Sequence, residues 1–195
     1  MKLYLISRNP GKIRELSQLA KAYQIELASI DIPKVEIQSE SLTEIALYSV
    51  AIAYIITKKP VIVEDSGLYI KHLNMFPGAL SSYVYKTIGI SGILKLMNGI
   101  KDREAFFKSV IALAAPTLNG VKLFSGEVKG VISEEPRGFG GFGFDPIFIP
   151  NGHSRTFAEM SLEEKNTVSH RALAFKALSK WILENCESIS CWSWM

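Results

Sequence analysis

The chain has 195 residues, of which 48% are hydrophobic, and a formal net charge of +3. This length and hydrophobic content suffice for a sizeable core and exclude an intrinsically disordered chain, and the 22 Lys and Arg residues form no run that would require a polyanionic partner. No stretch approaches the roughly 20 apolar residues of a membrane span, and Cys186 and Cys191 form no disulfide framework, so we expect a cytoplasmic protein without a membrane partner. We expect residues 1–185 to form a single domain and assign no function to the tail, residues 186–195.

Strand and helix patterns alternate over the first third of the chain. The predicted elements are a strand over residues 2–6, a helix over 13–23, a strand over 25–30, an extended stretch over 34–39, a helix from 42 and a short buried strand over 61–63. Ser41 and Glu44 have the spacing of a capping box at the start of the second helix, and Pro60 ends it. This order is typical of βαβ units.

The second half of the chain is richer in strands. The predicted elements are a short helix over residues 91–97, strands over 105–115, 121–129, 131–133 and 147–149, and helices starting at 162 and 169. Asn119 and Gly120 predict a hairpin turn, and residues 137–144 form a loop rich in Gly and Phe. The whole pattern indicates an α/β fold with an antiparallel second half.

A polar, turn-forming hexapeptide separates the first strand from the first helix. It consists of Ser7, Arg8, Asn9, Pro10, Gly11 and Lys12. A strand that leads through such residues into a helix brings backbone N–H groups, a helix N-terminus and a cation to one point, which suits a phosphate. The hexapeptide is neither a P-loop nor a dinucleotide fingerprint, so an ordinary turn with a solvated Lys12 is an equal alternative.

Two adjacent carboxylates, Glu64 and Asp65, follow the predicted strand over residues 61–63. We expect them at the carboxyl end of that strand, where open α/β sheets place their ligands. Neighbouring strand residues point to opposite faces, so both can bind one ion only if the backbone turns, which Gly67 would permit. Half-buried acids need a cation, so a functional role is favoured over a solvated pair.

A second acidic group consists of Glu36, Glu40 and Glu44. If the sheet brings Glu36 to Asp65, the two carboxylates, with waters and phosphate oxygens, form the oxygen-rich site that Mg²⁺ prefers. Helix capping or surface exposure explains Glu40 and Glu44 better than metal ligation does.

The glycine-rich loop ends in Phe142, Gly143, Phe144 and Asp145. Its glycines would let backbone and rings approach a planar ligand, a Phe ring can stack on a base, and Asp145 can accept from ring N–H or amino groups. The sequence thus allows a purine pocket here, although a glycine-rich hairpin with its aromatic side chains in the core explains this segment better when it is taken alone.

Three cationic or titratable residues, Lys165, His170 and Arg171, flank the start of the last helix. Cations at a helix N-terminus oppose the macrodipole, and we expect an anionic ligand between them to resolve that conflict. The alternatives are a surface Lys165 and a core His170.

Taken in order, these segments resemble the inosine triphosphate pyrophosphatase family, the Ham1-like enzymes that act on non-canonical purine nucleoside triphosphates. The resemblance extends from Leu5 to about Trp181. Its motifs are residues 7–12 (SRNPGK), 63–68 (VEDSGL), 76–78 (FPG), 141–146 (GFGFDP), 157–160 (FAEM), 164–166 (EKN) and 169–171 (SHR).

The resemblance implies Mg²⁺-dependent hydrolysis between the α- and β-phosphates, with Mn²⁺ as a possible substitute. It implies a two-lobed α/β fold around a long, bent mixed sheet, a nucleotide cleft between the lobes and a homodimer. It also implies that residues 7–12 hold the phosphates, that Glu36 and Asp65 bind the metal, and that Asp65 is the candidate base. By the same resemblance, the further substrate contacts are Ser66, Phe142, Gly143, Phe144, Asp145, Lys165, His170 and Arg171, with Lys12 and Lys165 stabilising charge during catalysis.

Two other functional classes stay open at this level. A Maf-like nucleotide pyrophosphatase would cleave the same bond in other nucleotides, although the motifs at residues 142–145 and 170–171 argue against it. A non-catalytic nucleotide sensor or a weak RNA-binding domain would use the same basic and aromatic residues without turnover, but the presence of Glu36 and Asp65 favours catalysis. Residues 79–82 contain no lysine where some members of the family have one, and Lys86 is a candidate substitute.

Overall fold

A computed structural model describes residues 2–185 of the chain, which form seven strands and six α-helices. The strands are β1 (Lys2–Ile6), β2 (Glu26–Ile30), β3 (Val61–Ile70), β4 (Pro77–Gly78), β5 (Glu104–Ala114), β6 (Lys122–Ile132) and β7 (Phe148–Pro150). The helices are α1 (Pro10–Ala22), α2 (Leu42–Thr57), α3 (Ser81–Thr87), α4 (Gly89–Leu96), α5 (Leu162–Val168) and α6 (His170–Glu184). Within residues 2–185, none of these helices combines the length and apolar character needed to cross a membrane.

All seven strands belong to one mixed sheet. The spatial order is β2-β1-β3-β5-β6-β7, and β4 pairs with the far end of β3. β1 pairs in parallel with β2 and β3, whereas β3, β5, β6 and β7 are successively antiparallel. The predicted α/β class and its antiparallel second half are confirmed.

Three hydrophobic clusters divide the fold into two lobes. In the first lobe, α1 and α6 pack on one face of the sheet, against side chains such as Ile62 and Ile111, and α2 packs on the other face, against Val63 and Ala112. In the second lobe, the far ends of β3 and β5 pack with α3, α4 and β7. The two lobes share the long strands β3 and β5, so the sheet itself connects them.

β3 is the main difference from the expected elements. It continues for ten residues because β5 pairs with it from Val61↔Ala114 to Ile70↔Ala105 without interruption. Glu64 and Asp65 therefore lie inside a strand, and the expectation that they follow its carboxyl end is wrong. The turn that Gly67 would permit does not form; a Cβ on Gly67 would lie 2.3 Å from the Gly78 carbonyl oxygen, so this glycine allows β4 to approach β3.

Smaller differences have local causes. Residues 34–39 form no strand, and Glu44 accepts from the Ser39 hydroxyl (2.7 Å) instead of completing the capping box, although the Ser41 hydroxyl caps α2 as expected. The strands expected at 121–129 and 131–133 are one strand, β6, and residues 145–147 form a 3₁₀ turn before β7. Cys186, Cys191 and the rest of the expected tail lie outside the described residues.

Candidate active site

A short segment of β3, residues 63–67, lies between two neighbours on the same edge. β5 covers the opposite edge of β3 along its whole length. On this edge, β1 pairs only as far as Leu5↔Ile62, and β4 begins to pair at Leu68↔Gly78. We call residues 63–67 the open segment. It contains Glu64, Asp65 and Ser66, so the sheet places these polar side chains where no strand covers them on that edge.

Glu64 lies on the face of β3 that packs against α1 and α6, and it is fully enclosed by partners. It accepts from the Ser109 hydroxyl at 2.7 Å and pairs with the Lys12 ammonium at 2.9 Å and the Arg171 Nε at 3.2 Å. Burial alone would raise the pKa of Glu64, but Arg171, Lys12 and the Ser109 hydroxyl outweigh it and hold the pKa well below its usual range. Glu64 is therefore a permanent anion.

The charges on this face continue as an alternating chain. Arg171 contacts Glu15, whose other oxygen lies 2.7 Å from the Lys165 ammonium, and Lys165 lies 2.5 Å from Asp145. All four side chains are almost fully buried. The anion expected between Lys165 and Arg171 is therefore the protein's own Glu15, not a ligand, and the alternative of a surface Lys165 is wrong. Arg171 also donates to the Ser66 hydroxyl at 2.9 Å, which brings the predicted Ser66 into the site.

The ring of Phe142 lies at the far end of this series of charged side chains. It stands so close to Gly11 that a Cβ there would lie 2.3 Å from the ring, and the Lys165 ammonium and the Arg171 guanidinium lie 5.1 and 5.2 Å from its centroid. The Asp145 carboxylate accepts from the Phe142 amide at 2.7 Å, which fixes the loop. Phe142 is only partly buried, so part of this residue is accessible beside Lys165 and Arg171.

Two predicted substrate residues are buried here. The side chain of Phe144 belongs to the hydrophobic core of the second lobe, so only the backbone of this residue is available on the loop. His170 stacks on Phe107 at 4.6 Å, and its Nδ1 has no hydrogen-bond partner within residues 2–185. Burial and the nearby Arg171 hold the pKa of His170 well below its usual range, so the ring is neutral.

Asp65 lies on the opposite face of β3, toward α2. One of its oxygens lies 2.5 Å from the Lys34 ammonium and 3.9 Å from that of Lys12. The other, Oδ2, is buried and accepts no hydrogen bond from residues 2–185. Lys34 also lies 2.8 Å from Glu36, so the expected approach of Glu36 to Asp65 takes place through a shared cation. Burial raises the pKa of Asp65, although Lys12 and Lys34 oppose the shift.

The hexapeptide delivers its cation, but not its backbone N–H groups, to this site. The Asn9 side chain caps α1 and accepts from the amides of Gly11 (2.9 Å) and Lys12 (3.2 Å), so these groups are already satisfied. The expectation that they are presented to a phosphate is therefore wrong for the structure as described. Arg8 pairs at 2.7 Å with the exposed Asp31 and stays apart from the charges on β3.

Three residues of the site were not anticipated: Glu15, Lys34 and Ser109. Glu15 lies four residues before Leu19 on α1, on the face that packs against the core, and a carboxylate at such a position needs a buried cation. Ser109 is a small polar residue within a strongly apolar strand, which is a similar signal. Lys34 gives no such signal, because a lysine beside a proline in a loop looks solvated.

Comparisons with known proteins agree with the motifs. The model of the Ham1 family matches residues 3–181. A dITP/XTP pyrophosphatase of Hyperthermus butylicus is 48% identical over 182 residues, which cover 92% of this chain and 94% of the relative. One of Saccharolobus solfataricus is 49% identical over 182 residues, covering 93% and 94%. Among solved structures, a HAM1 protein from Coxiella burnetii has a TM-score of 0.83 at 33% identity, covering 94% of this chain and 99% of that one.

These matches extend across both lobes and the whole open segment, so they concern the entire fold and not one motif. They also decide between the two pyrophosphatase families considered from the sequence. The chain belongs to the Ham1 family.

Proposed function

We propose that the protein is a nucleoside-triphosphate pyrophosphatase that hydrolyses inosine, deoxyinosine and xanthosine triphosphates to the monophosphate and pyrophosphate. Such an enzyme removes non-canonical purines from the nucleotide pool. The observation that carries the proposal is Asp65. It is a buried carboxylate beside Lys12 at the open segment, one of its oxygens has no partner among residues 2–185, and the chain is about half identical to dITP/XTP pyrophosphatases.

The carboxylates of Asp65 and Glu36 fit Mg²⁺. Both supply hard anionic oxygens, both already contact one cation, and Oδ2 of Asp65 has no hydrogen-bond partner within residues 2–185. The described residues contain no cluster of three or more His, Cys, Asp or Glu side chains suited to a metal, so water and phosphate oxygens would complete the coordination. We assign Mg²⁺, or Mn²⁺ in its place, to Glu36 and Asp65. When bound, the ion would neutralise charge on the triphosphate.

Asp65 is the proposed general base. A water attacks the α-phosphorus, its proton passes to Oδ2 of Asp65, and the bond to the α,β-bridging oxygen breaks to release pyrophosphate. Oδ2 of Asp65 suits this role because it is the oxygen with no hydrogen-bond partner within residues 2–185 and is therefore able to accept a proton. Lys12, held by the Glu64 carbonyl at 3.0 Å, stabilises the negative charge that develops on the phosphates.

The purine base of the nucleotide is proposed to stack on Phe142, with Lys165, His170 and Arg171 around it. Within residues 2–185, the acceptors of the Lys165 ammonium are Glu15 and Asp145, which leaves one of its three N–H groups for a ligand. A keto oxygen at C6 accepts such a donor, whereas the amino group of adenine would oppose donor to donor. Lys165 thus serves base recognition more directly than phosphate binding.

We also propose a homodimer located in the cytoplasm. Several large apolar side chains are exposed on α2 and α3, among them Tyr48, Ile55, Ile56 and Tyr83, and a second copy of the chain would bury such a surface. Light scattering coupled to size-exclusion chromatography measures the mass directly, and a monomer at micromolar concentration would contradict the dimer.

Product analysis in ¹⁸O-labelled water tests the activity. The protein is incubated with inosine, xanthosine, guanosine and adenosine triphosphates, with Mg²⁺ or with chelator, and the products are separated by chromatography. We expect unlabelled pyrophosphate from the first two substrates and ¹⁸O in the monophosphate, because the water attacks the α-phosphorus. Label in the pyrophosphate would place the attack at the β-phosphorus instead.

The Asp65→Asn variant, purified in the same way, controls for contaminating phosphatases. Orthophosphate as the product, or equal rates in both proteins, would contradict the proposal. Nucleotide binding without any product would favour the sensor. Glu36→Gln tests the metal assignment, since we expect it to raise the Mg²⁺ concentration that gives half-maximal rate.

A further inference from the structure

A lysine ammonium occupies the point where the two proposed metal ligands meet. Lys34 Nζ lies 2.5 Å from Asp65 Oδ1 and 2.8 Å from Glu36 Oε1, and only 13% of the Lys34 side chain is exposed. These two contacts consume one oxygen of each carboxylate. A divalent cation that uses the same oxygens cannot bind while Lys34 stays there, because two cations would share one site.

The backbone that carries Lys34 is held separately from its side chain. The next residue, Val35, accepts a hydrogen bond through its carbonyl from the buried Ser49 hydroxyl of α2 at 2.7 Å. This bond fixes the loop against α2 whatever the lysine does. A flexible four-carbon chain on a fixed backbone can leave the two carboxylates without moving Glu36 away from Asp65.

The remaining charges explain why a cation is needed here when no metal is bound. Asp65 lies next to the permanent anion Glu64, and Lys12 is shared with Glu64, at 2.9 Å from Glu64 against 3.9 Å from Asp65. The Asp65 and Glu36 carboxylates would repel each other without a cation of their own. Lys34 therefore supplies the charge that a metal would supply.

We propose that Lys34 is a tethered competitor for the metal: it occupies the Glu36–Asp65 pair in the empty enzyme and is displaced when Mg²⁺ or Mn²⁺ binds. This inference rests on the proposed assignment of Glu36 and Asp65 as metal ligands. The metal must compete with the ammonium, which weakens its affinity for the protein alone and favours binding together with a nucleotide whose phosphates add further ligands. Lys34 thus sets the metal requirement without touching the reacting atoms.

Direct titration of Mn²⁺ tests the proposal without any turnover. The concentration of unbound Mn²⁺ is followed by electron paramagnetic resonance at pH 8 for the wild type, Lys34→Met and Lys34→Arg. We expect Lys34→Met to bind Mn²⁺ roughly tenfold or more tightly than the wild type, since the buried Asp65 and its neighbour Glu36 would then have no ammonium for the metal to displace. Lys34→Arg keeps the charge and is expected to bind no more tightly than the wild type. Lys71→Met, which removes an equal charge from a surface pair with Glu104, is expected to leave the affinity unchanged.

Other outcomes overturn the proposal. Equal Mn²⁺ affinity in the wild type and Lys34→Met, with circular dichroism showing both folded, means that Lys34 does not compete. Weaker binding in Lys34→Met means that Lys34 positions the carboxylates for the metal instead. Glu36→Gln separates this failure from failure of the metal assignment. If it weakens Mn²⁺ binding while Lys34→Met does not strengthen it, only the competition is wrong; if Glu36→Gln has no effect, the assignment itself is wrong.

Discussion

Glu64 and Asp65 are neighbours in the chain, yet the two faces of β3 treat their carboxylates in opposite ways. Burial acts to raise both pKa values, but the pKa of Glu64 is lowered and that of Asp65 is raised. The difference lies in the partners. Both oxygens of Glu64 lie against a cation, Oε2 against Lys12 at 2.9 Å and Oε1 against Arg171 at 3.2 Å. Asp65 has its close cation, Lys34, on Oδ1, and its Oδ2 has neither a hydrogen bond nor an ion pair within residues 2–185. The face of β3 that carries Glu64 has its charges paired and stabilises the structure of the site. The face that carries Asp65 has an incompletely paired carboxylate, which is the candidate for the chemical step.

The largest expected effect comes from the incompletely satisfied face. Asp65→Asn removes the proposed base and a metal ligand, and we expect kcat to fall by about 10³-fold or more. The thermal midpoint should stay the same or rise, because a carboxyl whose pKa is raised on folding is less stable as an anion in the folded protein. Pyrophosphate release and thermal unfolding measure the two effects. A rate within tenfold of the wild type would contradict the assigned role.

Glu64→Gln should reverse this pattern, with a large loss of stability. The amide leaves Lys12 and Arg171 buried without their shared counter-ion, which costs about 3–5 kcal/mol in comparable cases. Urea unfolding at pH 7.5 measures the free energy of unfolding. Glu26→Gln is the matched control, since its partner Lys2 is at the surface, where solvent screens the pair, and we expect a much smaller change. Equal losses in the two variants would mean that the buried series of charged side chains contributes no more to the free energy of unfolding than a surface ion pair does.

The pH dependence of stability should separate the two carboxylates by sign. A lowered pKa means that Glu64 stabilises the fold above its unfolded value of about 4.3 and loses this contribution as the pH falls. A raised pKa means that the folded state protonates Asp65 more readily, so acidification adds stability there. Urea midpoints between about pH 6 and pH 3 should therefore fall less steeply in Glu64→Gln than in the wild type, and more steeply in Asp65→Asn. The same slope in all three proteins would contradict both directions.

At the aromatic end of the satisfied face, substrate binding should change without a large change in stability. Phe142→Leu removes the ring that we propose stacks on the purine base. Loss of one stacked base costs about 1–3 kcal/mol, which corresponds to a rise of about fivefold to a hundredfold in KM for inosine triphosphate. Phe139→Leu changes an aromatic residue of the same loop that is fully exposed, and we expect its KM to match the wild type. A higher KM in both variants would indicate that the loop, not the Phe142 ring, was disturbed.

The local elements of this fold could be predicted from the sequence, and the length of β3 could not. The strand β1, the helix α2 and its Ser41 cap follow from apolar spacing and turn residues that lie next to one another. β3 continues through four residues, 64–67, that were expected to follow it. Pairing with β5, whose partner residues are 41 to 47 positions away in the chain, stabilises this stretch, and the counter-ions of Glu64 come from distant Lys12 and Arg171. No local pattern contains that information.

The same distinction between local and distant information applies to the residues of the candidate site. Lys12, Asp65 and Arg171 could be selected because charged residues beside apolar segments need an explanation, and the structure brings Lys12 close to the other two through Glu64. Glu15 and Lys34 could not be selected in this way, because each belongs to the site only through its ion-pair partners in other parts of the structure. The roles toward a nucleotide that are assigned to Lys12, Asp65 and Arg171 stay predictions.

The smallest expected effect concerns the bond that holds the loop of Lys34 and Glu36 in place. Ser49→Ala leaves the Val35 carbonyl without the hydroxyl that donates to it at 2.7 Å, and we expect a loss of about 1 kcal/mol in the free energy of unfolding. Because this loop carries Glu36, the Mg²⁺ concentration for half-maximal rate should also rise by a few-fold. Ser179→Ala is the matched control: its buried hydroxyl donates at 2.9 Å to the Phe175 carbonyl within α6, on the opposite face. A change in the metal requirement in Ser49→Ala alone would show that the open face depends on how firmly its loop is held, whereas an unchanged requirement in both would mean that Glu36 reaches the metal whatever holds the loop.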